Sequence, residues 1–184
     1  MTIGSDFHAV LAAARDGAEW ALARLYTDLQ PNVLRYLMVH EPAAAEDLAS
    51  EVWIGVARGL GRFSGGEDAF RAWVFTIARR RVADLHRKMA RQPVVPVPPR
   101  ELASLGTVGN VEDDAIATLP DDVMSRLATL SPDQAEVLLL RVVADLSVSE
   151  TANILGKRPG AVRILQHRAL RRLAQESFDG SETE

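Results

Sequence analysis

Residues 147–172, SVSETANILGKRPGAVRILQHRALRR, carry the signals of two helices separated by a tight turn. Ser147 followed by Glu150 is a capping box, the pattern that starts a helix. Gly156 tolerates the left-handed backbone that ends a helix, and Pro159 fits the first turn of the next one. That second helix is basic. A short helix, a glycine turn and a basic helix together predict a helix-turn-helix.

In such a motif the second helix enters the major groove, where long side chains near its N-terminus read base edges and other cations hold phosphates. Its apolar stripe is predicted to face inward: Val162, Leu165, Ala169 and Leu173. Its candidate DNA contacts are Lys157, Arg158, Arg163, His167 and Arg171. The alternative is a solvated basic helix in an ordinary bundle, but the turn and the caps would then be coincidences.

Helical spacing of apolar residues extends upstream of this motif. It covers residues 7–36, with breaks near Asp16-Gly17 and again around Pro31, then residues 43–60 and residues 69–91. A further helix over residues 132–143 begins with Ser131-Pro132. The sequence therefore predicts an all-α protein.

The chain divides into two small helical domains, residues 1–92 and 119–176, joined by a flexible linker over residues 93–118. Four prolines in residues 93–99 stop any helix and favour an extended chain. Residues 177–184 form an acidic tail.

Composition narrows the function classes. Of 184 residues, 47% are hydrophobic and 25% charged, as in ordinary globular proteins. The absence of cysteine excludes disulfides and Cys-ligated zinc. Neither a membrane-spanning apolar run nor a basic leader followed by an apolar one is present, so we expect a cytoplasmic protein without membrane insertion.

The net charge of −4 hides an uneven distribution. Residues 79–91 and 157–172 together hold 12 of the 21 basic residues, whereas residues 101–150 hold ten acids against two arginines. Local fields of this kind suit nucleic acid despite the overall sign. A basic helix over residues 79–91 is alone consistent with a solvated face, but Phe63, Ser64 and Trp73 place aromatic and polar groups beside it, as in proteins that hold unstacked bases. Trp73 lies on the apolar stripe, so we expect it in the core.

The sequence contains no motif that indicates an enzyme active site. Gly59-Leu60-Gly61 with Gly65 follows a helix rather than a strand and so fails as a nucleotide loop. The four histidines lack metal-ligand spacing, and no nucleophile elbow occurs. We expect no catalytic centre, no metal and no cofactor.

Three segments in order, AEDLASEVW (45–53), FRAWVFTIAR (70–79) and LSP (130–132) with the helix-turn-helix up to residue 169, carry a family resemblance. They resemble an extracytoplasmic-function (ECF, group 4) sigma factor of bacterial RNA polymerase, over about residues 7–173. The resemblance implies that the first domain binds the polymerase clamp and opens the minus-ten promoter element. It also implies that the second domain reads the minus-thirty-five element, and that an anti-sigma factor is a partner besides core polymerase and promoter DNA.

Site residues follow from the resemblance position by position. It implies a polymerase-binding helix carrying Asp47, Glu51 and Trp53, where the family often has Phe at the last position. It implies a flipped-base pocket at Phe63 and Ser64 and a helix following minus-ten DNA through Arg79, Arg80 and Arg87, with Asp84 among them. The linker is expected to run through the polymerase.

The second basic helix departs from the family pattern, because Leu165 and Gln166 exchange the usual basic and apolar positions. This leaves open a rotation of the DNA-facing side by one residue. Two other function classes remain: a stand-alone helix-turn-helix regulator that binds duplex DNA by itself, and a helical adaptor that binds no DNA.

Overall fold

The computed structural model describes residues 3–91 and 121–179, and the regular elements in those ranges are all helical, as predicted. The first domain contains α1 (Phe7–Arg15), α2 (Glu19–His40), α3 (Ala45–Gly59) and α4 (Glu67–Arg91). The second contains α5 (Asp121–Ala128), α6 (Pro132–Leu138), α7 (Val148–Leu155) and α8 (Pro159–Asp179). The predicted linker lies outside the described residues, and the predicted acidic tail begins inside α8. Within the described ranges, no helix is long and apolar enough to cross a bilayer.

The core of the first domain lies between four helices that each bury one apolar face. α2 packs against α1 and α3, and α3 packs against α4. Among the largest fully buried side chains are Phe7, Tyr36, Phe70 and Phe75. The three- and four-residue spacing seen in the sequence produces these faces, because such positions share one side of a helix.

The predicted helix break around Pro31 is wrong, since α2 continues through it. Proline has no N–H, so the helix loses the bond to the Thr27 carbonyl. Leu29 and Val33, on either side of the proline, are both buried, and this packing holds the two halves of the helix together. The earlier break is confirmed: Gly17 has φ +83° between α1 and α2.

The helix predicted over residues 132–143 changes type after α6 and continues as a π-helical turn, Leu139–Val143. A π turn contains an extra residue, which rotates the side chains that follow it. Leu138 therefore packs with Leu130 and Ala169 in the second domain, while Leu139 and Leu140 join the core of the first. The two domains share one apolar core across this segment. Helix α5 was not predicted.

Both predicted capping boxes are present. Ser131 accepts from the Gln134 amide at 3.4 Å, and the Gln134 side chain accepts from the Ser131 amide at 3.1 Å. The corresponding bonds between Ser147 and Glu150 are 3.1 and 2.7 Å long. These reciprocal bonds satisfy amides that a helix start otherwise leaves unpaired, which fixes where α6 and α7 begin.

Candidate nucleic-acid interface

Helices α7 and α8 form the predicted helix-turn-helix, with Gly156 between them at φ +62°. Val162 and Ala169 are fully buried, and Leu165 and Leu173 pack beside them, so the predicted inward stripe is confirmed. The opposite face is exposed and carries four predicted DNA contacts: Arg158, Arg163, His167 and Arg171. The last three are spaced by four residues and form one row along α8.

The exchange of Leu165 and Gln166 does not rotate the helix. Leu165 packs inward in the apolar cluster of Val137, Ala152 and Val162. Gln166 accepts a hydrogen bond from Nε of Arg141 at 3.2 Å, which ties it to the π turn instead of to solvent. The face with Arg163 therefore points outward, as its pattern predicts.

Lys157 differs from the other candidates in this group. Its ammonium nitrogen lies 2.8 Å from Oδ2 of Asp133, and its side chain is only 28% exposed. The pair joins the turn before α8 to the first turn of α6. Lys157 thus holds the motif together in this arrangement, and a phosphate would have to compete with Asp133 for it.

In the first domain, Phe63 and Ser64 lie in the loop between α3 and α4, residues 63–66. Phe63 stacks on Trp73 at 5.0 Å and 22°, and it meets Phe70 edge-on at 5.4 Å. Ser64 is exposed. Trp73 was expected in the core, but it is only half-buried. Its ring packs against Phe63 of the loop.

Two glycines make this aromatic stack possible. A Cβ on Gly59 would lie 2.6 Å from Cζ2 of Trp73, closer than atoms can approach. Gly65 has φ +145°, and a Cβ there would come within 2.9 Å of the Ala69 Cβ and 3.3 Å of the Phe63 ring. The loop is therefore folded tightly against the start of α4.

The arginines predicted to follow minus-ten DNA are spread along α4. Arg79 and Arg80 face α7 and line an open cleft of about 630 Å³ that also includes Glu150 and Asn153. Arg87 lies two turns further on, 62% exposed, and pairs with Asp84. The structure brings Arg79 and Arg80 together near the second domain and leaves Arg87 apart from them.

Glu136 of α6 occupies the junction between the domains and pairs with Arg79. Its Oε1 lies 3.3 Å from Nε of Arg79 and accepts a hydrogen bond from the Tyr36 hydroxyl at 2.8 Å, while Oε2 lies 2.9 Å from Nε2 of His40. Burial alone would raise the pKa of Glu136, but the nearby imidazole of His40, the hydrogen bond from Tyr36 and the charge of Arg79 outweigh it and lower that pKa. The carboxylate is therefore ionised at the domain junction.

A second ion pair crosses the junction through Arg71, which is 6% exposed. Its Nη1 lies 3.0 Å from Oδ2 of Asp145. Asp145 adopts φ +51°, an uncommon conformation that short polar side chains tolerate. Sequence reasoning missed Arg71, Tyr36, His40 and Glu136. A signal existed for Glu136, because it is an acid within the otherwise apolar run of residues 135–140.

The three predicted polymerase-binding residues lie on different faces of α3. Asp47 and Glu51, four residues apart, are both exposed, and Glu51 pairs with Arg81 at 3.6 Å. Trp53 lies about 200° further round the helix and faces α2. There its Nε1 donates to Oε1 of Gln30 at 2.6 Å, and its ring tilts against Tyr26 at 5.0 Å. The three residues do not form one cluster.

An apolar groove of about 280 Å³ runs between α2 and α3 on the Trp53 side. Leu22, Tyr26 and Val56 line it together with Trp53. Trp20 (62%), Tyr26 (45%) and Ile54 (48%) are large apolar side chains exposed on the same two helices. Exposed apolar patches of this kind mark protein–protein contacts. Among the described residues, no group of three or more His, Asp or Glu side chains could hold a metal.

Two family descriptions match the chain, Sigma-70 region 2 over residues 25–92 and Sigma-70, region 4 over residues 120–173. Among curated relatives, the ECF RNA polymerase sigma factor ShbA of Streptomyces griseus is 38% identical over 180 residues, covering 90% of this chain and 92% of its own. The ECF RNA polymerase sigma factor BldN of Streptomyces coelicolor is 36% identical over 88% of this chain, which spans 62% of that longer relative.

Among solved structures, CnrH in complex with the cytosolic domain of CnrY matches with a TM-score of 0.65 and 21% identity. The match covers 97% of this chain and 100% of the other. At that identity the likeness concerns the fold. It extends over both helical domains.

Proposed function

The chain belongs to the ECF group of the sigma-70 family, the alternative sigma factors that direct transcription initiation, and we propose how its surfaces divide that work. The observation that carries the proposal is the row of Arg163, His167 and Arg171 on the exposed face of α8, whose inward stripe includes the fully buried Val162 and Ala169. Such a helix can enter the major groove without losing its packing. We assign it, with Arg158, to the minus-thirty-five element.

In this proposal the first domain recognises the minus-ten element. Phe63 offers an aromatic face at the end of α3, and Ser64 offers an exposed hydroxyl beside it. Aromatic stacking and a few polar contacts are what an extruded base requires. Arg79, Arg80 and Arg87 then hold the phosphates of the strand along α4.

Core RNA polymerase binds, we propose, at the apolar groove between α2 and α3. Trp53 supplies an aromatic anchor whose indole N–H is already satisfied by Gln30, so its burial leaves no unpaired donor. Asp47 and Glu51 add exposed negative charge on the next face of α3, where basic groups of the clamp would meet them. Aromatic anchors surrounded by polar groups are typical of protein–protein hot spots.

An anti-sigma factor is a second proposed partner. Trp20, Tyr26 and Ile54 expose more apolar surface than Trp53 alone, and an inhibitor that covered it would exclude the polymerase. The CnrH structure was solved with the cytosolic domain of CnrY, and a structure of the sigma factor RpoE from Bartonella quintana was solved with the anti-sigma factor NepR. We propose the cytoplasm as the site of action, where RNA polymerase works, and no catalytic step for the chain itself.

Transcription from a promoter library tests the proposal directly. Purified chain and core polymerase are incubated with duplexes randomised at the minus-ten and minus-thirty-five elements, and the productive templates are sequenced. We expect enrichment of two separated motifs only when both proteins are present. The same duplexes are offered to the chain alone in a gel-shift assay.

A sequence-specific shift by the chain without core polymerase would instead support the stand-alone helix-turn-helix regulator, which the relatives do not favour. If no motif is enriched among the productive templates, both the proposed promoter recognition and the stand-alone regulator are contradicted. Pull-down of core polymerase by wild-type chain, compared with Trp53→Ala, tests the groove separately from promoter recognition.

A further inference from the structure

We propose that Arg15, the last residue of α1, positions the base-binding loop between α3 and α4 and thereby sets base discrimination at the minus-ten element. The inference rests on the proposed role of Phe63 and Ser64. It concerns a segment outside the matched family regions, which begin at residue 25. Arg15 touches the loop backbone, so it is a positioning residue.

The guanidinium of Arg15 reaches two carbonyl groups at the start of the loop. Its Nε donates to the Leu60 carbonyl oxygen at 3.3 Å, and Nη2 donates to the Phe63 carbonyl oxygen. The two acceptors lie at the two ends of the short 3-10 turn Leu60–Arg62, because Leu60 is its first residue and Phe63 directly follows it. A planar fork with several fixed donors holds two carbonyls at a defined separation, which a single ammonium cannot do.

The N-terminal segment also holds the other end of the loop. Glu67, the first residue of α4, accepts from the Ile3 amide through Oε1 at 2.7 Å and from the Gly4 amide through Oε2 at 2.9 Å. The loop is thus fixed from the same segment at both ends, while Ser64 in its middle is exposed. Fixed ends and an open centre describe a preformed pocket.

The Phe63 carbonyl that Arg15 holds belongs to the residue whose ring stacks on Trp73. Phe7 of α1 packs on Phe70 at 5.6 Å, next to that stack. A loop that is not held in one arrangement can adjust to different extruded bases, so it would discriminate less between them as well as bind each of them more weakly. Arg15 and the stack around Phe63 therefore keep the loop in one arrangement before DNA arrives.

The test compares four full-length variants in transcription with core polymerase: Arg15→Ala, Arg15→Lys, Phe63→Ala and the control Arg24→Ala, which removes an exposed arginine from α2. Templates differ only at single minus-ten positions, and the readout is the ratio of initiation between best and worst base. Hydrogen exchange of residues 60–66 in the free chain is measured in parallel.

We expect Arg15→Ala to lower the ratio about 3- to 10-fold at the one position where Phe63→Ala lowers it, as fits the loss of one or two hydrogen bonds. Arg15→Lys should restore part of it, and Arg24→Ala should leave it unchanged. Exchange over residues 60–66 should accelerate in Arg15→Ala.

Two outcomes overturn the inference and separate it from the proposed function. If Phe63→Ala reduces the base preference but Arg15→Ala lowers only the melting temperature, Arg15 contributes only to the stability of the domain, and the base-binding role of the loop stands. If neither variant changes the ratio, the loop does not bind a base and both proposals are wrong. If Arg15→Ala does not fold, the initiation ratio of Arg15→Lys is compared with that of the wild type instead, and an unchanged ratio overturns the inference.

Discussion

Tyr36 donates a hydrogen bond from its hydroxyl to Oε1 of Glu136 at 2.8 Å, and this bond between residues 100 positions apart in sequence joins the two domains. Burial, followed by the neighbouring carboxylate charge, raises the pKa of Tyr36 well above its usual value, so the hydroxyl keeps its proton. The same carboxylate contacts Arg79, one of the residues proposed to hold promoter DNA. It faces only Nε of Arg79, whose side chain is 44% exposed, so a phosphate bound along α4 would share the guanidinium with Glu136.

Glu136→Gln should loosen the junction, because the amide removes the charge that His40 and Arg79 face. Hydrogen bonds to buried charged groups are worth about 1.5–3 kcal/mol. Arg79 is 44% exposed and therefore screened, so we expect a loss of about 1–2 kcal/mol in the free energy of unfolding. Denaturant unfolding measures the loss, and small-angle X-ray scattering should show a larger radius of gyration.

Asp84→Asn is the matched control for this substitution, since Asp84 pairs with Arg87 on the surface, where both side chains are more than half exposed. Surface pairs of this kind contribute little to stability. Equal effects of Glu136→Gln and Asp84→Asn on stability and on the radius of gyration would contradict a special role for the junction.

Acid should open the junction in the wild-type protein. The pKa of Glu136 is lowered in the folded chain from a usual value near 4.5. A lowered carboxyl pKa gives a stabilising contribution that is complete above the unfolded pKa and is lost as pH falls through the folded one. We therefore expect the radius of gyration to increase as the pH falls below the usual carboxyl value of 4.5 and through the lowered pKa of Glu136. Glu136→Gln should lack that step, and an identical acid transition in both proteins would exclude Glu136 as its origin.

Local sequence signals predicted the helices and caps well because those features depend on residues a few positions apart. Ser147 and Glu150 lie within one turn, and Gly156 follows directly. The domain junction depends on residues far apart in sequence: Tyr36 and Glu136 meet only through the packing of one domain on the other, and a π turn decides which leucines face the first domain. Periodicity contains no information about that turn.

The candidate site shows the same division. The inward stripe of α8 could be predicted because Val162 and Ala169 follow helical spacing. The ion pair between Lys157 and Asp133 could not be predicted, nor could the contact of Trp53 with Gln30 of α2, since each depends on which helix packs against which face. At Pro31 the local signal was misleading, because the burial of Leu29 and Val33 keeps α2 continuous through a residue that normally breaks a helix.

Substitutions at Trp53 should distinguish an apolar contact from a structural one. Trp53→Phe keeps an aromatic ring at the groove and loses only the hydrogen bond to Gln30, so we expect core polymerase affinity to fall less than about fivefold. Trp53→Ala removes the anchor and should cost more than tenfold, as for interface hot spots. Titration with labelled core polymerase measures both, and circular dichroism checks that α3 persists. Equal affinity of Trp53→Ala and wild type would remove the groove from the polymerase interface.

Ser147→Ala should destabilise the helix-turn-helix, because the Glu150 amide loses its acceptor at the start of α7. Loss of an N-cap of this type costs about 0.5–2 kcal/mol. Ser149→Ala, two residues along and equally exposed, provides the control and should change stability by less than about 0.5 kcal/mol. Thermal unfolding of the full chain measures both variants. If they behaved alike, the capping box would not determine where α7 begins.

Arg163→Ala should relax base preference at one position of the minus-thirty-five element. Arg163 is exposed, whereas the neighbouring Val162 is fully buried, so loss of the Arg163 side chain leaves the packing of the helix intact. A bidentate arginine reading guanine contributes about 1–3 kcal/mol of discrimination, which is roughly 5- to 150-fold. Arg171→Ala, nearer the C-terminal end of the same row, should weaken binding at all sequences and reduce its salt dependence. Transcription across a minus-thirty-five library, at two salt concentrations, separates the two effects. A uniform loss in Arg163→Ala would make Arg163 a phosphate contact and leave base reading to its neighbours on α8.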